Sequence, residues 1–481
     1  MNMNKLITFA AVAASVAIPM AANAATENIT FTTNGVTWRI RLEPEADPNL
    51  ASYGSVGKVP GTAMLGVNPS CNNVDKWQDS SIWAIADQNV TVDASLIPWE
   101  FDYNGTHYTV TKIALAAFNK HSTAATLTGT VTIPDAVTEI RNTAFNNQTS
   151  LTGFSGGRNV KFWGGMAFTG CSNMLGVYPD MSQVVYFRDS VFANCSKMTG
   201  TPVFSDMLRF VMYNAFRDSQ IPGAVVFPAS VDTLGGIMGS GEADYGVFRN
   251  CPNLEAVWVK GKPAAASQTY TTVYCASFAR KNSTPMKMKM ILMGRNTKGA
   301  MMTQIGNRAM LSGDSGVQVF VPANGYWDGL VVGGSDNNKV WYYGPDREFD
   351  LEIDDDTMEA VFTPTTVNAL TNALAWAPQF KTHFNLDAHI SVTNTLDLTD
   401  VTITEDMTSG VTFDRLVFSA KKQTQLDAIL GAFPASAQIA IDPTGLTENM
   451  VIPAGYPNVF VKTVPGVTIK RTASGFVIIV K

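Results

Sequence analysis

Five cysteines and four histidines are the side chains best suited to metal binding or nucleophilic chemistry, and their spacing argues against both. No Cys-x-x-Cys pair occurs, so the usual frame of a structural zinc site is missing. His107, His121, His383 and His389 stand without a Cys, Glu or Asp at metal-ligand spacing, and we read them as structural. His383 and His389 are six residues apart in a strand-like context, which puts both on one face of a strand. The acidic run DREFDLEIDDDTME (346–359) lacks the bend glycine of a calcium loop, and Asp354, Asp355 and Asp356 are consecutive, so it reads as a solvated linker. No Gly-x-Ser-x-Gly elbow is present. The glycine-rich segments at 156–159, 235–241 and 332–338 carry no Lys placed for phosphate and read as turns. Among 40 acidic residues nothing selects a pair for glycoside hydrolysis. No catalytic residue, metal site or cofactor is expected.

The elements that would position any site come from a repeat. Phenylalanines recur as Phe118, Phe145, Phe168, Phe192, Phe216 and Phe248, at steps of 27, 23, 24, 24 and 32 residues. Small or apolar residues precede most of them. Cys171, Cys195 and Cys251 fall three places after a Phe, and Met174, Met198 and Leu254 three places later again. Segments ending in Pro, LTGTVTIP (127–134) and IPGAVVFP (221–228), are each followed by a second short strand. One such coil cannot bury its own apolar side, but a neighbouring coil can. The pattern predicts a solenoid with Phe, Ala, Val and Ile in ladders and adjacent coils about 4.8 Å apart.

The pattern resembles the BspA-like leucine-rich repeats, a type also described for Treponema surface proteins. Their consensus runs Cys/Asn-x-x-Leu-x-x-Ile-x-Leu-Pro, then Leu/Val-x-x-Ile-x-x-x-Ala-Phe. FDYNGTHYTVTKIALAAF (101–118) looks like the usual first coil. Departures are Gln148 and Ser219 where Cys is expected, and Val191 before Phe192 in place of Ala. The resemblance implies a right-handed stack of short strands at residues 105–345. It also implies that 317–345, with VQVFVP and an aromatic turn, closes the array, and that the function is adhesion or host-matrix attachment.

The rest of the chain is organised around that stack. Lys5, the apolar run 6–20 and Ala22-Asn23-Ala24 read as a cleaved signal peptide, residues 1–24. The run is shorter than the roughly 20 residues a span needs, and no later segment is long and apolar enough. The expected location is therefore secreted or at the cell surface. The remaining 457 residues (481 minus 24) suffice for two or three domains. Residues 25–104 read as an N-terminal β cap, beginning with a hairpin turned at Asn34-Gly35, because a first coil exposes an apolar end and an open edge. Residues 346–481 read as a separate α+β region with a twofold internal repeat. LAWAP (374–378) and LGAFP (430–434) match at an offset of 56, each a short helix stopped near Pro and followed by a strand.

Stacking would bring Cys171 and Cys195 within disulfide reach, and an exported chain permits disulfides. Ladder side chains run parallel, however, so we expect buried, reduced thiols. The odd count leaves at least one thiol unpaired in any case. For binding, the aromatic residues are the lead. If Val257 and Val259 point inward, Trp258 points outward, and Tyr178, Tyr186 and Tyr213 hold comparable places. They either form a binding surface or lie under the caps and the C-terminal region.

With a net charge of −6 and no basic stripe, nucleic acid and polybasic membrane binding are not expected. The leading reading is an exported, non-enzymatic scaffold for a protein or glycan ligand. One alternative is a secreted hydrolase with its site in 346–481 and the solenoid as targeting module. The other is a structural spacer or assembly subunit.

Overall fold

A computed structural model describes residues 27–42, 61–67, 80–236, 246–262, 270–274, 287–300, 316–328, 339–344, 349–354, 357–392, 411–442, 450–456, 458–461, 469–473 and 476–480, with short pieces at 278, 330, 394–398, 403 and 408. The signal-peptide reading of 1–24 lies outside these residues.

The repeat folds as a solenoid with a front and a back. The front sheet runs, neighbour by neighbour, through Thr62–Leu65, Thr106–Ile113, Glu139–Ile140, Phe162–Trp163, Tyr186–Phe187, Phe210–Val211, Thr233–Leu234, Thr271–Tyr274 and Thr297–Ala300, all parallel. Its N-terminal end is covered as expected. Strands Glu27–Thr33 and Val36–Leu42 form an antiparallel hairpin, with Asn34 and Gly35 both at positive φ (51° and 73°). That is the turn whose twist matches the strands it joins.

The phenylalanines stack into one column. Ring centroids lie 4.9 Å apart for Phe118–Phe145, 4.7 Å for Phe145–Phe168, 5.5 Å for Phe168–Phe192, 6.5 Å for Phe192–Phe216, 5.6 Å for Phe216–Phe248 and 6.4 Å for Phe248–Phe278. Phe145, Phe168, Phe192, Phe216 and Phe248 are fully buried. Each corner is held by the next: the N–H of Phe145 donates to the carbonyl of Ala167 (2.7 Å), and that of Phe168 to Val191 (2.9 Å). The corner also bends the chain hard. Two residues before Phe118, Phe145, Phe168, Phe192 and Phe216, non-glycine residues adopt left-handed backbone: Ala116, Thr143, Met166, Ser190 and Asn214, at φ of 54–56°. A β-branched residue such as Thr143 rarely sits there. The stacked column and the ladder bonds impose the conformation. Gly164 allows the coils to approach, since a Cβ there would collide with the backbone of Arg141 and Asn142.

The back starts with the three-stranded sheet Thr91–Asp93, Thr126–Ile133 and Leu151–Gly156 and the pair Gly176–Val177 and Met198–Thr199. A long sheet then begins at Gly223–Phe227. It passes through Leu254–Val259, Met290–Met293, Gln318–Pro322 and Lys339–Tyr343, and continues without interruption into Phe349–Asp354, Glu359–Pro364, Asp387–Ser391, Val411–Ser419 and Ile439–Asp442. The C-terminal region is α+β, as expected, and its sheet is edge to edge with the solenoid's. Helix α1 (Val367–Phe384) joins the parallel strands Glu359–Pro364 and Asp387–Ser391, and helix α2 (Gln423–Ala432) joins Val411–Ser419 and Ile439–Asp442. Each of these helices with its two strands forms a strand–helix–strand unit.

Two details depart from the sequence reading. The acidic run is no linker: Phe349–Asp354 and Glu359–Pro364 pair as an antiparallel hairpin, because Leu351, Ala360 and Phe362 bury completely. And α1 does not stop at Pro378 but runs through it to Asn385 at φ 57°. Leu370, Leu374, Ala377, Phe380 and Phe384 bury along one face, and that burial outweighs the single hydrogen bond proline removes.

Candidate functional site

The front sheet sets one outward position per coil, in strict register. Lys112 pairs with Glu139, then Phe162, Tyr186, Phe210, Thr233, Thr272 and Lys298 follow, strand to strand. The column changes character along its length. Lys112, Glu139 and Phe162 are buried. The Glu139 carboxylate lies 3.4 Å from Lys112 Nζ and 3.6 Å from the buried Arg141 Nη2. Tyr186, Phe210, Thr233, Thr272 and Lys298 are half-buried.

Tyr186 and Phe210 define the site. Their rings stack with centroids 5.2 Å apart and planes 9° from parallel, and they project from adjacent, directly paired strand positions. Ring faces therefore cover one another along the solenoid axis, and the outward surface consists of ring edges and a hydroxyl. Ring edges carry the positive end of the quadrupole. Basic side chains flank them: Lys161 and Arg209 are exposed, one residue before the outward positions. Arg188, two after Tyr186, lies 3.9 Å from Asp189. Burial pushes the Asp189 carboxyl above its usual range, opposed by Arg188 and by a hydrogen bond from Tyr213. The strip is basic and edge-aromatic on a chain whose net charge is −6.

Of the four aromatics singled out from the sequence, only Tyr186 is part of this surface. Tyr213 sits beside it, 7% exposed, against Asp189. Tyr178 points inward, edge-on to Phe192 and Phe216 at 5.4 and 5.5 Å. Burial lifts its hydroxyl far above the ordinary tyrosine range. Trp258 was expected to face solvent and does not. Alternation holds, but the outer face of Leu254–Val259 is itself covered by α1, so Trp258 packs 5.7 Å from Phe384 and is fully buried. Sequence reasoning missed Phe210 and Phe162. Both precede a core position by one residue, as Tyr186 does, and that offset was the available signal.

The described cysteines are held as buried thiols. Cys171, Cys195 and Cys251 are free and buried. Each Sγ donates to the carbonyl of the preceding coil's Phe: Cys171 to Phe145 (3.2 Å), Cys195 to Phe168 (3.1 Å), Cys251 to Phe216 (3.0 Å). Burial pushes the Cys171 and Cys251 thiols up to about 12, and Cys195 well above its usual value. His389 Nδ1 meets Asp414 at 3.1 Å, and among the described residues no Ser, Thr or Cys bonds its other ring nitrogen. No group of three His, Cys, Asp or Glu side chains among the described residues is placed to hold a metal ion. No helix among them is long and apolar enough to cross a membrane.

Residues 111–255 match the family model of the BspA type leucine rich repeat region, in six copies. No curated protein matches the chain. Three solved structures are similar over most of their length. A leucine rich cell surface protein from Faecalibacterium prausnitzii is 13% identical, with 91% of this chain and 96% of that chain covered and a TM-score of 0.32. The pneumococcal vaccine antigen PcpA is 12% identical, with 91% and 99% covered and a TM-score of 0.33. A leucine-rich repeat protein from Bacteroides ovatus is 13% identical, with 92% and 99% covered and a TM-score of 0.27.

Proposed function

Residues 111–255 being a BspA-type leucine-rich repeat array, we propose that the chain is an exported, non-catalytic recognition scaffold whose front sheet face binds a protein ligand. The stacked pair Tyr186–Phe210 carries the reading. A sugar ring is held by lying flat on an aromatic face, and here one face of each ring covers the other, while their far faces look along the ladder to Phe162, 6.5 Å from Tyr186, and to the paired position Thr233. Ring edges beside Lys161, Arg188 and Arg209 instead suit the carbonyls and carboxylates of a polypeptide. The rigid ladder fixes these groups before the partner arrives, which limits the ordering cost of binding.

The test is a combined array of matrix proteins and glycans probed with the mature chain, Tyr186→Ala and Phe210→Ala. Protein binding should weaken by about tenfold or more in each variant, as for a central aromatic anchor. Binding confined to glycans, or protein binding that neither variant changes, would reject the reading. Absence of any ligand together with filaments in the electron microscope would favour the spacer.

A further inference from the structure

Four of the six most exposed large apolar side chains among the described residues fall in one stretch on the back of the solenoid. Leu175 is 57% exposed, Val177 66%, Val203 74% and Met207 39%. They lie where the back sheet is broken. Among the described residues, Met198–Thr199 pairs only with Gly176–Val177, and the long sheet starts one coil later at Gly223–Phe227. From Gly223–Phe227 onward, α1 covers the same outer face, with Ala224 and Val226 packed against its cluster and Ala256, Trp258, Leu292 and Phe320 buried in it. The apolar face thus runs about two coils beyond the helix that protects it. A groove of about 320 Å³ marks the transition, lined by Pro202, Val203, Phe204, Ala224, Val226 and Lys260.

We propose that this patch is the interface of a homodimer. Its chemistry disfavours a sugar or an anionic lipid surface as the occupant. Exposed Leu and Val offer neither the ring faces nor the polar groups that hold a sugar. The nearby acidic residues Asp180 and Asp206, both exposed, disfavour an anionic lipid surface. The rim is complementary to itself. Lys197 opens the back leg of its coil and Asp206 closes that leg, before the front strand Phe210–Val211; both are exposed, and neither has an ion-pair partner among the described residues. A two-fold axis lying in the interface and parallel to the stacking direction exchanges the two ends of that back leg. It sets Lys197 of one copy against Asp206 of the other while Val177 and Val203 meet at the centre. Such an isologous contact is closed, so assembly ends at two copies. The front faces then point away from each other, and a partner presenting several epitopes is held by two sites at once.

Sedimentation equilibrium of the mature chain tests this. The wild type should dimerise reversibly within about 1–200 µM, the range of a small interface. Val177→Asp and Val203→Asp should be monomeric with unaltered thermal unfolding, since both side chains already face water. Lys197→Glu should weaken the dimer about tenfold, and Lys197→Glu combined with Asp206→Lys should restore it. A monomeric wild type, a dimer that survives Val203→Asp, or a double charge reversal that fails to recover would each overturn the proposal.

Discussion

Gln148 Nε2 donates to the carbonyl oxygen of Phe118 at 2.6 Å, the office that Cys171 Sγ performs for Phe145 one coil later. The same amide donates to the carbonyl of Ala125 (3.1 Å), and its Oε1 accepts from the N–H of Leu127 (2.8 Å). A residue that breaks the sequence pattern therefore preserves its physical role: the carbonyls of Phe118, Phe145, Phe168 and Phe216 each receive a side-chain donor from the next coil. Gln148→Leu would strand three buried backbone groups at about 1–3 kcal/mol each. We expect chemical denaturation to show a loss above about 3 kcal/mol, with Gln148→Cys recovering part of it. A loss below about 1 kcal/mol would refute the assignment.

The phenylalanine column makes a second, graded prediction. Phe168 is fully buried and stacks on Phe145 and Phe192, with Phe154 edge-on at 5.2 Å. Phe168→Ala should cost about 3–5 kcal/mol. Phe168→Leu should cost less, retaining volume and losing the ring contacts worth about 0.5–1.5 kcal/mol per pair. Urea titrations of both variants give the comparison. Equal losses would mean that ring stacking contributes nothing beyond bulk.

The thiols should be silent while the fold is intact. Cys171, Cys195 and Cys251 are buried with their pKa values raised by desolvation, Cys171 and Cys251 to about 12. At pH 8 almost none is thiolate, the form that reacts. Iodoacetamide labelling followed by peptide mass spectrometry should find all three unmodified in native protein and all three labelled after unfolding without reductant. A crosslinked Cys171–Cys195 peptide would contradict the structure.

What the sequence discloses depends on whether burial is decided within a coil or between distant parts. The Phe register, its Cys partners and the Asn34-Gly35 hairpin follow from local pattern, because each coil meets only its neighbours. The fate of Trp258 does not. Strand alternation aims it outward, and only α1, more than a hundred residues later in the chain, makes outward mean buried. The acidic run misleads for the same reason: its charges are visible at once, while Leu351 and Phe362 acquire a purpose only when the hairpin meets α1. The candidate site was half legible. Tyr186 can be named from the sequence as an outward aromatic, but Phe210 cannot, because one ring edge carries little meaning until the register sets a second beside it.

The docking of α1 should weaken as the solution is acidified. His383 stands in the helix's last turn, half-buried, and desolvation lowers its pKa below the usual 6.5, with the Glu255 carboxylate opposing. Lys381 is engaged by Asp387, and His389 by Asp414. Because the folded pKa lies below the unfolded one, the unfolded chain binds the proton first. The stability this group contributes is complete above about pH 6.5 and declines as pH falls through the lowered value. Thermal unfolding followed from pH 7.5 to 5 should show a falling midpoint, and His383→Gln should flatten that part of the profile while leaving the neutral-pH midpoint nearly unchanged. A profile identical to wild type would show that the proton is taken up elsewhere. A steeper one would mean that the Glu255 attraction outweighs burial and that the charged imidazole is the form α1 prefers.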